Sequence, residues 1–193
     1  MKITDCQELL ATALGRTTCS APDGSPLGRT GQSILRMASA YESDGRVFLS
    51  RDDPVNALAA FLYGLGWIHC GTASGLLVPP PEKPACPFAT PATKVPASHY
   101  LKLDEKAGRY SHLLTAALAS VSPAPSPGTR AHAFALEVLF IAGVYLWRGD
   151  HEVSEGRAED GLSCFSYGHG WLDAGVETGL FTITAHREIF TVD

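Results

Sequence analysis

The chain has 193 residues, 15 Lys+Arg against 20 Asp+Glu and 45% hydrophobic residues, which fits one ordinary domain or two small ones and excludes wholesale disorder. Residues 1–96 carry eight basic and eight acidic side chains and residues 97–193 seven and twelve; no Lys/Arg cluster is present, so nucleic-acid binding, which draws its affinity from neutralised phosphates, is not expected. Five cysteines (6, 19, 70, 86 and 164) form no CxxC pair, and they fit reduced thiols better than a disulfide framework or a zinc ribbon.

The N-terminal residues Met1 to Glu8 place acids where a signal peptide needs an apolar core, and the chain reads as cytoplasmic. A first helix is predicted over about 5–15, with Thr4 and Gln7 at capping-box spacing. A second runs from Ser25-Pro26, an N-cap serine with proline in the first turn, to near Ser50. The third starts at Asp52-Asp53-Pro54 and stops at Gly75, where glycine followed by leucine suggests a Schellman-type cap. The proline-rich stretch 79–96 cannot be helix and reads as a linker. Beyond it, helices are predicted over about 104–120, from Ser126-Pro127 to near Gly149, and from about Ser154 to Gly179. The most apolar run, Ala133 to Trp147, is shorter than the roughly 20 residues of a bilayer span and contains Glu137. It reads as a buried helix, and no membrane partner is expected. The tail, Thr182 to Val192, is rich in β-favouring residues without clear alternation.

The two sets of helices are copies. Phe61-Leu62-Tyr63-Gly64-Leu65-Gly66-Trp67 recurs 104 residues later as Phe165-Ser166-Tyr167-Gly168-His169-Gly170-Trp171. Leu9, Leu10, Ala13 and Leu14 keep the same register with Leu113, Leu114, Ala117 and Leu118. A tandem duplication explains this most simply, with short insertions and deletions expected between the matching blocks.

Along the third helix, Ala57, Ala60, Gly64, Ile68, Gly71 and Gly75 fall within about 80° of one another, and their counterparts in the second copy repeat the stripe. A mid-helix glycine costs about 1 kcal/mol relative to alanine. Repeated glycines therefore predict close approach of another helix. Gly66 and Gly170 lie on the opposite side, where a helix bend and an outside contact are both open. The outward face of the second copy (Ser163, Ser166, Gly170, Asp173, Glu177) reads as solvated, that of the first (Ala59, Leu62, Gly66, His69, Ala73) as mildly apolar. The second helix of the second copy (133–147) is apolar nearly all round, which implies burial on several sides, and it and the mildly apolar face of the first copy are expected to meet, between copies or across a dimer.

The segment Tyr167 to Gly175, together with Asn56-Ala57-Leu58-Ala59-Ala60-Phe61, resembles the archaeal domain-of-unknown-function family numbered 357. The resemblance spans both copies and implies a compact helical bundle and a cytoplasmic archaeal protein, with no activity attached. Copy one keeps the Asn56 segment but has Leu65 and His69 where the family pattern has His and Asp. Copy two keeps His169 and Asp173 but has Asp160 in place of the Asn. Each copy thus holds part of the pattern.

His169 and Asp173, four apart, share a helix face with Glu177 one turn on, the beginning of an acid/base or metal site or an ordinary boundary pair. Tyr63, Trp67, Tyr167 and Trp171 read as core and interface anchors. His151-Glu152 fails the HExxH pattern because Glu155 stands where the second histidine is required, and Gly156 to Ser163 has Leu162 in place of the phosphate-binding lysine of a Walker loop. Gly168-His169-Gly170 lies inside a helix and makes no dinucleotide loop. The Arg/His spacings 109/112, 148/151 and 130/132 do not fit those of helical-bundle ribonucleases.

The fold expected is all-α: two tandem three-helix units, 1–78 and 101–193, joined by a proline-rich linker over 79–100 and packed into one bundle. The leading functional reading is a non-enzymatic interaction or scaffold module whose partner is another protein or a second copy. It has no identified cofactor, metal or catalytic residue. The competing reading is a ligand binder or enzyme using a cleft between the copies, with Tyr167, His169, Trp171, Asp173 and Glu177 as candidate binding residues.

Overall fold

The computed structural model describes residues 3–80, 88 and 95–192. Among them the fold is carried by α1 (Ile3–Arg16), α2 (Pro26–Ser50), α3 (Pro54–Ala73), α4 (Tyr100–Ala119), α5 (Arg130–Ser154) and α6 (Ala158–Glu177). Two antiparallel ribbons, β1 (Thr18–Cys19) with β2 (Leu77–Val78) and β3 (Val121–Pro123) with β4 (Phe181–Ile183), tie the end of each unit's first helix to the segment after its third. The bundle is all-α in architecture and built twice. Cys86 and most of the proline-rich segment lie outside the described residues.

The register of the duplication is stricter than the sequence suggested. Helices α2 and α5, and α3 and α6, begin and end 104 residues apart, so no insertion or deletion separates them. The Ser126-Pro127 pair is not the start of α5. Thr129 is its N-cap, accepting a hydrogen bond from the His132 N–H at 3.1 Å, as Ser25 accepts from the Gly28 N–H at 3.0 Å. The repeated Ser-Pro dipeptide sits three residues too early, and α5 consequently runs on to Ser154 rather than Gly149, with α6 opening at Ala158. Thr4 and Gln7 both lie within α1, so they do not form its cap. The C-caps fall where expected: Gly75 and Gly179 are left-handed (φ 76° and 75°), and Leu76 and Leu180 donate back to the Gly71 and Gly175 carbonyls.

Helices α3 and α6 form the centre. Sixteen of the 20 residues in each are buried, on every face, while the other helices bury a single stripe. The expected solvated face of α6 is therefore buried: Ser163, Ser166 and Asp173 have 4, 0 and 0% exposure because α3 covers them. The apolar face of α3 thus meets α6 of the other copy, not the apolar α5 expected to cover it, and Gly66 and Gly170 make that possible. A methyl on Gly66 would stand 2.5 Å from the Tyr167 carbonyl oxygen, and one on Gly170 would stand 2.3 Å from that of Tyr63. The two Cα atoms face each other, so backbone meets backbone at the crossing. The other glycine stripe works inside each unit: Gly64 faces Leu10 and the Ala38 carbonyl, and Gly168 faces Leu114 and the Ala142 carbonyl.

Helix α5 departs from expectation. It is 25 residues long, and its most apolar window has a mean hydropathy of 1.3 yet is only 17% buried. By length and composition alone it is long enough to cross a membrane. Its outer face shows Leu136, Phe140, Val144 and Trp147 to solvent, with Phe140 and Trp147 each 71% exposed. The predicted burial on several sides fails: among the described residues α5 packs mainly on α6 and α4 and leaves this face uncovered.

Alanine substitutions should rank by the space each glycine has. Gly170→Ala should destabilise by about 1–3 kcal/mol or more through backbone overpacking. Gly143→Ala, with nothing near its added methyl, should stabilise by about 0.5–1 kcal/mol through helix propensity. Urea unfolding of both variants checks this, and equal effects would contradict the crossing.

Candidate functional site

Beside the crossing, where α3 and α6 meet α2 and α4, lies a cavity of about 300 Å³. Helix α2 supplies Tyr41, Asp44 and Phe48; α3 supplies Asn56, Ala59, Ala60 and Tyr63. From the second copy come Lys106, Tyr110 and Leu113 on α4 and His169 on α6, and the tail adds Ile189 and Thr191. Both copies are needed to build it.

One wall is a polar relay that begins at a helix cap. Asp53, the N-cap of α3, accepts from the Asn56 backbone N–H at 3.1 Å, from Asn56 Nδ2 at 2.6 Å and from Lys102 Nζ at 2.7 Å. Burial tends to raise its pKa, but Lys102 and the Asn56 donors outweigh that and hold it below the ordinary value. With its amide nitrogen committed to Asp53, Asn56 turns Oδ1 toward Lys106, whose ammonium donates to it. Lys106 is 7% exposed and stands 4.6 Å from the Tyr110 ring centroid. Burial, reinforced by Arg109, brings its pKa down to about 8.

The opposite wall is held by a buried carboxylate. Asp173 has no exposure, and its Oδ2 accepts from the Tyr63 hydroxyl, the Thr191 hydroxyl at 2.6 Å and the Thr191 backbone N–H at 3.1 Å. Three donors compensate a charge that has no cation in hydrogen-bond reach. Burial, then the Asp173 charge, push the Tyr63 phenol well above its ordinary pKa. Asp173 Oδ1 and His169 Nε2 stand 3.7 Å apart, and neither has a hydrogen-bond partner. Among the described residues no group of three or more His, Cys, Asp or Glu gathers there as a metal site would require.

The duplication creates a second such position, and it has diverged. Tyr63 against Asp173 becomes Tyr167 against His69, whose Nδ1 lies 2.7 Å from the Tyr167 hydroxyl. Burial lowers His69 to about 4. Tyr41 on Tyr63 becomes Tyr145 on Tyr167, with ring centroids 4.3 and 4.6 Å apart. Leu65 replaces His169, and Asp160 replaces Asn56. Phe88 packs on Tyr145 and Tyr167 with ring centroids 5.0 and 5.2 Å apart, and the Arg148 guanidinium lies 5.1 Å from the Phe88 ring centroid. The Val95 N–H donates to Glu159 nearby. The chain itself occupies this second position.

Of the residues singled out from the sequence, His169 lines the cavity and Asp173 stands one layer behind it. Tyr167 belongs to the second position. Trp171 packs at 6.4 Å from Tyr167 with its indole N–H unpartnered, and Glu177, at the end of α6, does not line the cavity. Sequence reasoning missed Lys106, Tyr110, Tyr41 and Thr191. No motif marks them. The one usable signal was that the Asn56 half of the family pattern in copy one and the His169–Asp173 half in copy two are complementary.

The class is thus a duplicated helical bundle with an asymmetric, polar-walled cavity at the seam between its copies. Comparison with protein families matches residues 7–77 and again 109–181 to DUF357, a protein of unknown function, and the chain belongs to that family with two tandem copies. No curated protein and no solved structure gives a match.

The Lys106 amine provides a pH signature. Unfolded, it would titrate near 10.4, and folded near 8, so the folded chain releases this proton first as pH rises. The cost of burying the ammonium is fully present below about pH 8 and is relieved between about 8 and 10.4. Measured by urea unfolding, the stability of wild type relative to Lys106→Met should therefore rise across that window. A constant difference would contradict the assignment.

Proposed function

We propose that the protein binds a small molecule in the cavity between its copies. One observation carries this reading. Of two positions generated by the same duplication, one is occupied by Phe88 from the chain itself, while the other keeps an open volume of about 300 Å³ with lysine, asparagine and histidine on its walls. That volume is at the lower end of small-ligand sites, and the mixture of aromatic lining with a few convergent polar groups suits them. The absence of an identified nucleophile favours binding over turnover as the default. A ligand at a hundred times its dissociation constant should add about 2.7 kcal/mol, roughly 5–10 °C for a chain of this size. Ligand-observed NMR with a fragment library tests the reading: hits are expected that weaken in folded Ala60→Leu, which narrows the cavity. Silence across the library, or hits indifferent to that change, would overturn it.

A second reading, protein contact, is favoured by α5. Leu136, Phe140, Val144 and Trp147 form a straight stripe at spacings of four, four and three residues, whereas the matching positions of α2 are Gln32, Arg36, Ala40 and Ser43. Such a stripe is self-complementary in an antiparallel pairing, so the partner proposed is a second copy. Sedimentation equilibrium should show a dimer that Phe140→Glu dissociates. A monomer at high micromolar concentration would end this reading.

A further inference from the structure

The cavity has a charge imbalance that narrows what it accepts. The ionic groups around Lys106 are already paired: Asp53 with Lys102 at 2.7 Å, and Glu105 with Arg109 at 3.1 Å. Asp44, across the cavity on α2, is exposed and makes no ion pair with Lys106. Lys106 is left with a neutral amide oxygen and the face of Tyr110. An ammonium buried to this extent with no ion-pair partner of its own among the described residues is costly, and a bound anion reduces the cost. On the α6 wall, His169 Nε2 is a buried polar atom without a hydrogen-bond partner, 3.7 Å from Asp173 Oδ1. The remaining walls are flat and apolar: Tyr41, Phe48, Tyr63 and Tyr110 stand around a floor kept low by Ala59 and Ala60.

Resting on the small-molecule reading above, we infer that the ligand is an aromatic monocarboxylate, its carboxylate on Lys106 and its ring among the tyrosines. His169 is then available to a second polar substituent. A cationic ligand is disfavoured, because it would meet Lys106 with no buried carboxylate facing the cavity; Asp173 already accepts three hydrogen bonds on its inner oxygen.

Three nearly isosteric probes that differ in charge, and with it in hydrogen-bond donors and acceptors, test this on the full chain: benzoate, benzamide and benzamidine. Competition NMR at pH 7 should show benzoate binding about tenfold more tightly than benzamide, the difference expected between an ion-paired hydrogen bond and one from the same ammonium to a neutral carbonyl. Benzamidine should be the weakest. Lys106→Met should abolish the benzoate preference. Should that variant not fold, wild type at pH 9.5 provides the same readout. There Lys106 is largely uncharged, and the preference should shrink. The groups facing it are Asp53 on α3, Tyr41 and Asp44 on α2, His169 on α6, and Lys102, Glu105, Arg109 and Tyr110 on α4. Burial brings Lys106 itself down to about 8, inside the interval between the two measurements. Equal binding of benzoate and benzamide, or a preference unmoved by pH, would overturn the anion inference while leaving the cavity a ligand site. No binding by any of the three would also overturn it. The broader reading falls only if the fragment library is silent as well.

Discussion

The architecture depends on one contact, the crossing of two helix backbones at Gly66 and Gly170. With side chains at those positions, α3 and α6 would be held apart by at least a methyl on each. The seam would then open, and Tyr63 would no longer reach Asp173. Because the two helices touch at main-chain distance, the residues one turn away on each side face each other across the seam. The crossing is thus both the packing centre of the bundle and the device that sets functional side chains from different copies opposite one another.

An exact internal repeat gives each such pairing twice. Nothing obliges both to persist, and here they have not. On one side a tyrosine meets an aspartate stabilised by the chain's C-terminal residues, next to a histidine and a lysine. On the other a tyrosine meets a histidine that burial keeps neutral, next to a leucine, and Phe88 fills the space in front. The substitutions are matched: the carboxylate and imidazole of one side give way to an imidazole and a leucine on the other, and there Phe88 packs on Tyr167.

The outer helices have diverged too. Helix α2 shows polar side chains at the positions where α5 shows Leu136, Phe140 and Trp147. Duplication therefore yields two surfaces from one scaffold as well as two interiors, and an open cavity and an apolar face are both expressed in a single copy.

The sequence by itself determined a great deal. The 104-residue repeat, the helix count, the glycine C-caps at Gly75 and Gly179 and the family pattern divided between copies all follow from local rules: periodicity, capping chemistry and backbone permissiveness at one residue. It was less reliable where one local signal had competitors, as with Ser126-Pro127, or where burial depended on neighbours. The apolar run of α5 looked interior, and the polar face of α6 looked exposed, and both were the reverse. Only the tertiary structure decided that Asn56, Lys106 and His169 share one cavity and that Phe88 packs into the position of its twin. These residues come from three helices far apart in the chain, and their proximity is set by a backbone crossing that no spacing along a single helix encodes.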